Sequence, residues 1–404
     1  MNKVNILAPA GNWESLMAAI NAGADEVYFG IGELNMRAAG ANNFKISDLE
    51  KIAKLCKEKN IKTWVTLNTV VYDEEIEIIK KTLEEIKKSG IDGVIAADLA
   101  VIKEANRQKI EVCVSTQMSV SNLETVKVLS TWVDRIVLAR ELNLEQIGKI
   151  VEGIKSEKIM GPKGNLVEIE VFGHGAMCVA MSGRCQMSLY QYNLSANRGK
   201  CVQVCRRKYE VKDKDTGKEL VLDNDWVMSR SDLCTIGLLE KLVETGIKTI
   251  KIEGRARSAD YVDTVVRVYK RALNLINENN FDKKEKEELM GELKTVFNRG
   301  FSSGFYMGRS TDEWASGENN LATETKKLLG QIEHFYQKIK VAEIKLNKND
   351  RVKNGDEYMI IGPSTGVLKD KFSNIKLEKD ILTFKTKQKV RKNDKLFLVR
   401  KNEN

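Results

Sequence analysis

KTWVTLNTVVYDEEIEIIKKTLEEIKKSGIDGVIAAD, residues 62–98, decides the fold. A short apolar run, KTWVTLN (62–68), precedes an amphipathic stretch over 73–90, and a second apolar run, GVIAAD (93–98), follows it. The outer runs are continuous rather than alternating, as parallel strands buried on both faces must be. The middle segment has helical spacing and stops at Gly90. The unit is therefore β–α–β. The same alternation extends through the first 255 residues, with further strand candidates NILAPA (5–10), EVYFGI (26–31), EVCVST (111–116), RIVLAR (135–140), EIEVFG (168–173) and TIKIEGR (249–255). Eight strands predict an α/β chain closed into a (β/α)8, TIM-like barrel. A doubly wound open sheet is the rival, and no Gly-x-Gly-x-x-Gly follows the first strand to support dinucleotide binding.

The seventh and eighth strands stand about 75 residues apart, on the side of the barrel where loops build active sites. The predicted organisation is a barrel over 1–257 with a Cys-rich insertion at 174–248, a helical extension at 258–339, and a small basic β-barrel at 340–404. The insertion holds a strand-like DWVMSR (225–230), and FNRGFSSGFYMGR (297–309) breaks the extension between two helical patterns. VAEIKLN, EYMIIGP, GVLKDKF and KLFLVR supply the β runs of the last part. No apolar run reaches the roughly 18–20 residues that cross a bilayer. The N-terminal MNKVNILAPAGNWES reads as a buried strand rather than a signal peptide. A cytoplasmic protein without membrane contact is expected.

Seven cysteines are present, and five of them (Cys178, Cys185, Cys201, Cys205 and Cys234) fall within 57 residues. Cys56, on a helical pattern, and Cys113, in a strand, read as small core residues. Disulfides are a poor explanation in a reducing compartment. Thiolates are the usual ligands of iron–sulfur clusters, and a cubane takes four. Zinc is the rival, but its structural sites show two short Cys knuckles, and only Cys201 and Cys205 form one here. Scattered core cysteines are the third reading.

Polar residues end several strands: Asn68, Gln117, Arg140, Glu253 and Arg255. His174 ends the seventh strand, a position that points towards the active face or ties down a loop. Together these residues are candidates for catalysis. Arg140 and Arg255 suit bidentate capture of a small acidic co-substrate. Seventeen Lys and Arg against nine Asp and Glu between Lys340 and Asn404 place +8 of the chain's +9 in the tail. FKTKQKVRKN sets Lys385, Lys387, Lys389 and Arg391 at period two, on one face if the segment is a strand. Phosphate neutralisation explains such a face, and a lysine-guarded sheet edge is the alternative. Arg206 and Arg207, near Tyr190 and Tyr192, offer further cation and stacking surface for an unpaired base.

ILAPAGNWESLMAAINAGADEVYFG, VTLNTVVYDEE, STQMSVSN, VLARELNLEQI, EVFGHGAMCVAMSGRCQMS, SANRGKCVQVCRRKYE, SRSDLC, IKIEGRARSADYV and FNRGFSSGF follow one another in this order. Over nearly its whole length the chain thereby resembles the collagenase-like peptidase U (thirty-two) family. The resemblance implies oxygen-independent hydroxylation with an iron–sulfur (4Fe–4S) cluster and prephenate as co-substrate. Its substrates would be transfer RNA, ribosomal RNA or, for paired proteins, the ubiquinone ring. The length and the small C-terminal β-barrel resemble the transfer RNA branch, and the quinone branch lacks the basic tail, so 5-hydroxylation of a wobble uridine is expected. Carried over, the ligands are Cys178, Cys185, Cys201 and Cys234, with Cys205 also inside the pattern. Peptidase activity, and a non-catalytic iron–sulfur partner of a homologous chain, are the alternatives.

Overall fold

The computed structural model describes residues 3–216, 226–308, 314–315, 320–346 and 350–402. The strands numbered through the barrel are β1 (Asn5–Ala10), β2 (Glu26–Gly30), β3 (Lys62–Leu67), β4 (Gly93–Ala96), β5 (Glu111–Val114), β6 (Arg135–Val137), β7 (Glu168–Gly175), β8 (Asp232–Cys234) and β9 (Thr249–Ile252). Strands β1 to β7 pair in parallel with their chain neighbours, and β9 pairs in parallel with both β7 and β1. The barrel closes with eight parallel strands. Each coincides with one of the eight apolar runs, because continuous burial on both faces leaves no other home for them.

Helices α1 (Trp13–Asn21), α2 (Leu49–Lys57), α3 (Ile76–Lys88), α4 (Leu99–Arg107), α5 (Leu123–Ser130) and α6 (Leu144–Ser156) make the first six crossovers. In α3 the buried residues Ile79, Thr82, Leu83 and Ile86 form the stripe that the spacing of 73–90 implies. Between β7 and β9 lie α7 (Met187–Tyr192), β8 and α8 (Leu239–Glu244). The strand of the insertion is β8, which runs antiparallel to the end of β7. The strand-like pattern of the sequence lies at 225–230, whose first residue is outside the described residues. There, Trp226 to Arg230 is a turn ending in a single bridge to Trp314.

A buried ionic chain crosses the barrel interior. Arg135 on β6 pairs with Glu26 on β2 at 2.6 Å and Glu168 on β7 at 2.8 Å, and Lys251 on β9 pairs with Glu170 on β7 at 2.8 Å. Trp64 donates its indole N–H to Glu26 at 2.5 Å. Glu168 reaches water, but Arg135, Glu26, Glu170 and Lys251 are matched where they cannot be hydrated, which is what makes their burial tolerable.

After the barrel come α9 (Ala259–Asn277), α10 (Lys283–Lys294) and the short β10 (Phe301–Ser302). The expected helical extension stops there. Residues Glu324–Tyr336 are not helical, as the sequence suggested, but form the long strand β11, which carries His334. The misreading has a physical source. The register of β11 shifts between Leu328 and Gly330, a bulge that brings Leu329 and Ile332 to the core at a spacing of three. That spacing imitates a helix.

β11 belongs to a seven-stranded, antiparallel, barrel-like sheet with β12 (Val341–Lys345), β13 (Glu357–Gly362), β14 (Gly366–Lys371), β15 (Lys376–Glu378), β16 (Ile381–Lys385) and β17 (Lys395–Lys401). Its core includes Tyr358, Phe372 and Phe384, with ring centroids 4.7–5.1 Å apart. The sheet docks on the barrel: Met359, Val367 and Val399 join the barrel's core, and Lys326 pairs with Asp260 of α9 at 2.5 Å. The basic face expected at period two does not form. β16 ends at Lys385, so Lys387, Lys389 and Arg391 lie in the exposed connection to β17. Lys387 is paired with Asp370 at 2.8 Å.

Candidate active site

The carboxyl ends of the barrel strands and the insertion enclose a cavity of about 250 Å³. Its floor is made by strand residues Tyr28, Thr66, Ile95, Val137, Phe172 and Lys251, and its walls by the loops that follow β2, β3, β5, β6, β7 and β9. The insertion forms the roof. Arg206 holds it down, donating to the Met177 carbonyl at 2.5 Å and the Ser229 hydroxyl at 3.0 Å. Gly199 lets it approach the loop after β2. Its φ is +75°, and a Cβ there would stand 2.2 Å from the Asn35 carbonyl oxygen.

Cys178, Cys185, Cys201 and Cys205 all line this cavity. Burial raises the Cys185 and Cys205 thiols, and both also respond to the charges of Cys178 and Cys201. Cys234 is not with them. It lies on β8, buried, with its sulfur 3.9 Å from Met290 of α10, and burial pushes its thiol up to about 11. The ligand set carried over with Cys234 is therefore not the set that the fold brings together. Among the described residues, no three His, Cys, Asp or Glu side chains are grouped for a single metal ion. A cubane is held at its corners, so its thiolates ring a core instead of meeting at one point. Four sulfurs around one cavity, with an arginine on the same roof, fit the cluster.

Among the described residues, six arginines (Arg37, Arg140, Arg206, Arg255, Arg257 and Arg299) and Lys251 line the cavity against a single carboxylate, Glu253. Arg37 grips Glu253 through Nε at 3.2 Å and Nη2 at 3.0 Å. Burial raises the Glu253 carboxyl, but Arg37, Arg140 and Arg255 outweigh it and hold it down at about 2. Arg140 donates to the Ala176 carbonyl at 2.9 Å and lies 3.7 Å over the Phe172 ring. Arg255 donates to Asn35 at 2.9 Å and Thr66 at 2.8 Å, and burial pulls it down to about 10. Gly30 makes room for it, since a Cβ there would stand 2.7 Å from an Arg255 nitrogen. The Nε–H groups of Arg140, Arg255 and Arg299 are buried without a hydrogen-bond partner among the described residues. Cationic side chains outnumber carboxylates around the cavity, and guanidinium groups in such a setting suit a carboxylate or phosphate.

Asn68 and Gln117 also line the cavity. Asn68 accepts from the Met36 N–H at 3.2 Å and donates to Ser115 and Gln117 at 3.2 and 3.3 Å, so it fixes the others in place. His174 does not line the cavity, contrary to the reading of its strand-end position. Its ring is buried among Tyr261, Tyr269 and Phe301, and burial lowers it to about 3. β7 continues past the residue where a barrel strand would end, so His174 turns into the seam with β8 instead of the mouth. Of the expected RNA contacts, Arg206 is spent on the roof, whereas Arg207 is exposed beside Tyr192. Arg37, Arg257 and Arg299 went unnoticed in the sequence. The only available signal was an arginine just after a strand, in NMRAAG and GRAR.

A parallel β/α barrel whose mouth joins thiols to guanidinium groups is the class of protein that the fold and the site define. The comparisons name the family. The model of Peptidase family U32 matches residues 11–316, and the chain belongs to that family. A protein of Porphyromonas gingivalis named "Collagenase" is 44% identical over 100% of this chain and 99% of its own length. The "tRNA hydroxylation protein P1" of Bacillus subtilis is 32% identical over 89% of this chain and 84% of its own. The 23S rRNA 5-hydroxycytidine synthase of Escherichia coli is 32% identical over 77% of this chain and 46% of its own. Among solved structures, the U32 peptidase Mk0906 aligns at a TM-score of 0.41 and 13% identity, over 62% of this chain and 93% of that one.

Proposed function

We propose that this protein hydroxylates RNA, at C5 of a wobble uridine in transfer RNA, as an iron–sulfur enzyme that depends on a small acidic co-substrate such as prephenate. The observation that carries the reading is the lining of one cavity by four thiols and six guanidinium groups. Relatives at 32% identity named for RNA hydroxylation support the substrate class. Cys178, Cys185, Cys201 and Cys205 would hold the cluster, which when bound supplies one-electron chemistry. Arg140, Arg255 and Arg299 would receive the acid through their guanidinium groups, which line the cavity. Glu253, kept ionised by its arginines, holds Arg37 in place and limits the cavity's excess charge. Gln117 presents its amide where a base edge enters, positioned by Ser115 and Asn68. A base reaches such a pocket only when unstacked, which suits an unpaired anticodon nucleotide.

Peptidase activity is the second reading, favoured by the 44% identity to a collagenase. In that reading His174 would serve Cys178 as base, but its ring is enclosed by Tyr261, Tyr269 and Phe301, and burial lowers it to about 3. Mass spectrometry of transfer RNA from a strain lacking this gene and any homologous copy tests the proposal. Loss of 5-oxyuridine derivatives is expected, and an unchanged nucleoside profile would overturn it. Stable co-purification with a homologous chain, itself carrying the activity, would assign the partner role instead. Among the described residues no helix is long and apolar enough to cross a membrane.

A further inference from the structure

The outer side of the roof carries an exposed aromatic surface that the cavity chemistry does not use. Met187 and Ser188 of α7 line the cavity, while Tyr190 and Tyr192 of the same helix are 80% and 44% exposed. In the loop after β3, against Arg198 of the insertion, Tyr72 is 54% exposed. Two of these rings already carry a guanidinium. Arg207 lies 5.1 Å from the Tyr192 centroid and donates to its hydroxyl, and Arg198 lies 4.5 Å from that of Tyr72. Arg198 is itself fixed, by Glu75 at 2.7 Å and by the Val70 carbonyl. Exposed cation–π pairs of this kind contribute little to folding, and they leave much of each ring in water.

We propose that these rings form a stacking platform for the unpaired nucleotides on either side of the base that enters the cavity; the inference rests on the RNA reading above and identifies where the strand is held. Charge selects the occupant. Between Cys178 and Lys212 there are seven Lys and Arg and one Glu, a local +6 that matches a polyanion. Tyrosine faces with arginine planes suit bases without regard to sequence, the way single strands are held by proteins that read no code. A fully paired helix presents no free base faces to such rings. The platform adjoins the cavity mouth through α7, so a strand lying on it delivers a splayed base directly below.

The test uses the full chain, purified anaerobically, and fluorescence anisotropy with a labelled RNA stem–loop and a fully paired duplex of equal length. Tyr190→Ala/Tyr192→Ala should weaken loop binding about tenfold or more, with the duplex affected less than twofold. Tyr190→Phe should retain loop binding, and Tyr336→Ala, on the remote sheet, should match the wild type. Loop affinity unchanged in the double variant, or an equal loss for both RNAs, would overturn the platform. Binding of a collagen-like peptide or of anionic vesicles that disappears in the double variant would overturn it too, by giving the rings another occupant. The underlying RNA reading fails separately, if the wild-type gene leaves no hydroxylated nucleoside in RNA.

Discussion

Replacing Arg255 by methionine isolates the anion site. The side chain is buried, with Asn35 and Thr66 fixing the plane of its guanidinium and Nε–H left without a partner. A ligand carboxylate meeting this guanidinium from the cavity would make one charge-assisted hydrogen bond, worth about 1.5–3 kcal/mol. Its loss raises the dissociation constant roughly 10- to 150-fold. Arg255→Lys keeps the charge but not the planar fork, so a loss of about tenfold is expected. Calorimetric titration of the anaerobic protein with prephenate, and with a simple dicarboxylate, reads both values. The same titration has a predicted pH profile. Arg255 is depressed to about 10, so it stays cationic through neutral pH, and affinity should fall only as pH rises past 10. An affinity within twofold of wild type in a folded Arg255→Met protein would refute the assignment.

Other consequences concern groups away from the anion site. His174 titrates near 6.5 when unfolded and near 3 when folded, so its stabilising contribution is complete above pH 6.5 and lost as pH falls through that window. His174→Gln should flatten the acid limb of denaturant stability between those values while leaving the activity profile from pH 6 to 8 unmoved; a shifted activity profile would return His174 to the chemistry. Arg135→Met leaves Glu26 and Glu170 without their guanidinium in the barrel interior. Breaking a buried pair costs about 3–5 kcal/mol, and a guanidinium-chloride midpoint indistinguishable from wild type would contradict that role.

The barrel was legible because parallel strands buried on both faces leave an unmistakable record: KTWVTLN and GVIAAD cannot face water on either side. The cavity thiols were legible as a cluster in sequence, but not which four. Cys205 and Cys234 are separated by the direction of β8, which runs back along β7 and turns Cys234 towards α10. No spacing rule encodes that. His174 was misplaced for the same reason, since β7 runs on beside β8. β11 was missed because a bulge gave it helical spacing. The cationic lining was half visible: Arg140 and Arg255 end strands, whereas Arg37 and Arg299 arrive on loops whose course depends on tertiary packing.

Iron and acid-labile sulfide, measured together with visible absorption after anaerobic purification, test the account most directly when Cys205→Ala is set beside Cys234→Ala. The cavity set predicts that Cys205→Ala loses iron, sulfide and colour while Cys234→Ala retains all three. The opposite pattern, or a wild-type protein that stays colourless and free of iron and sulfide after reconstitution, would contradict it.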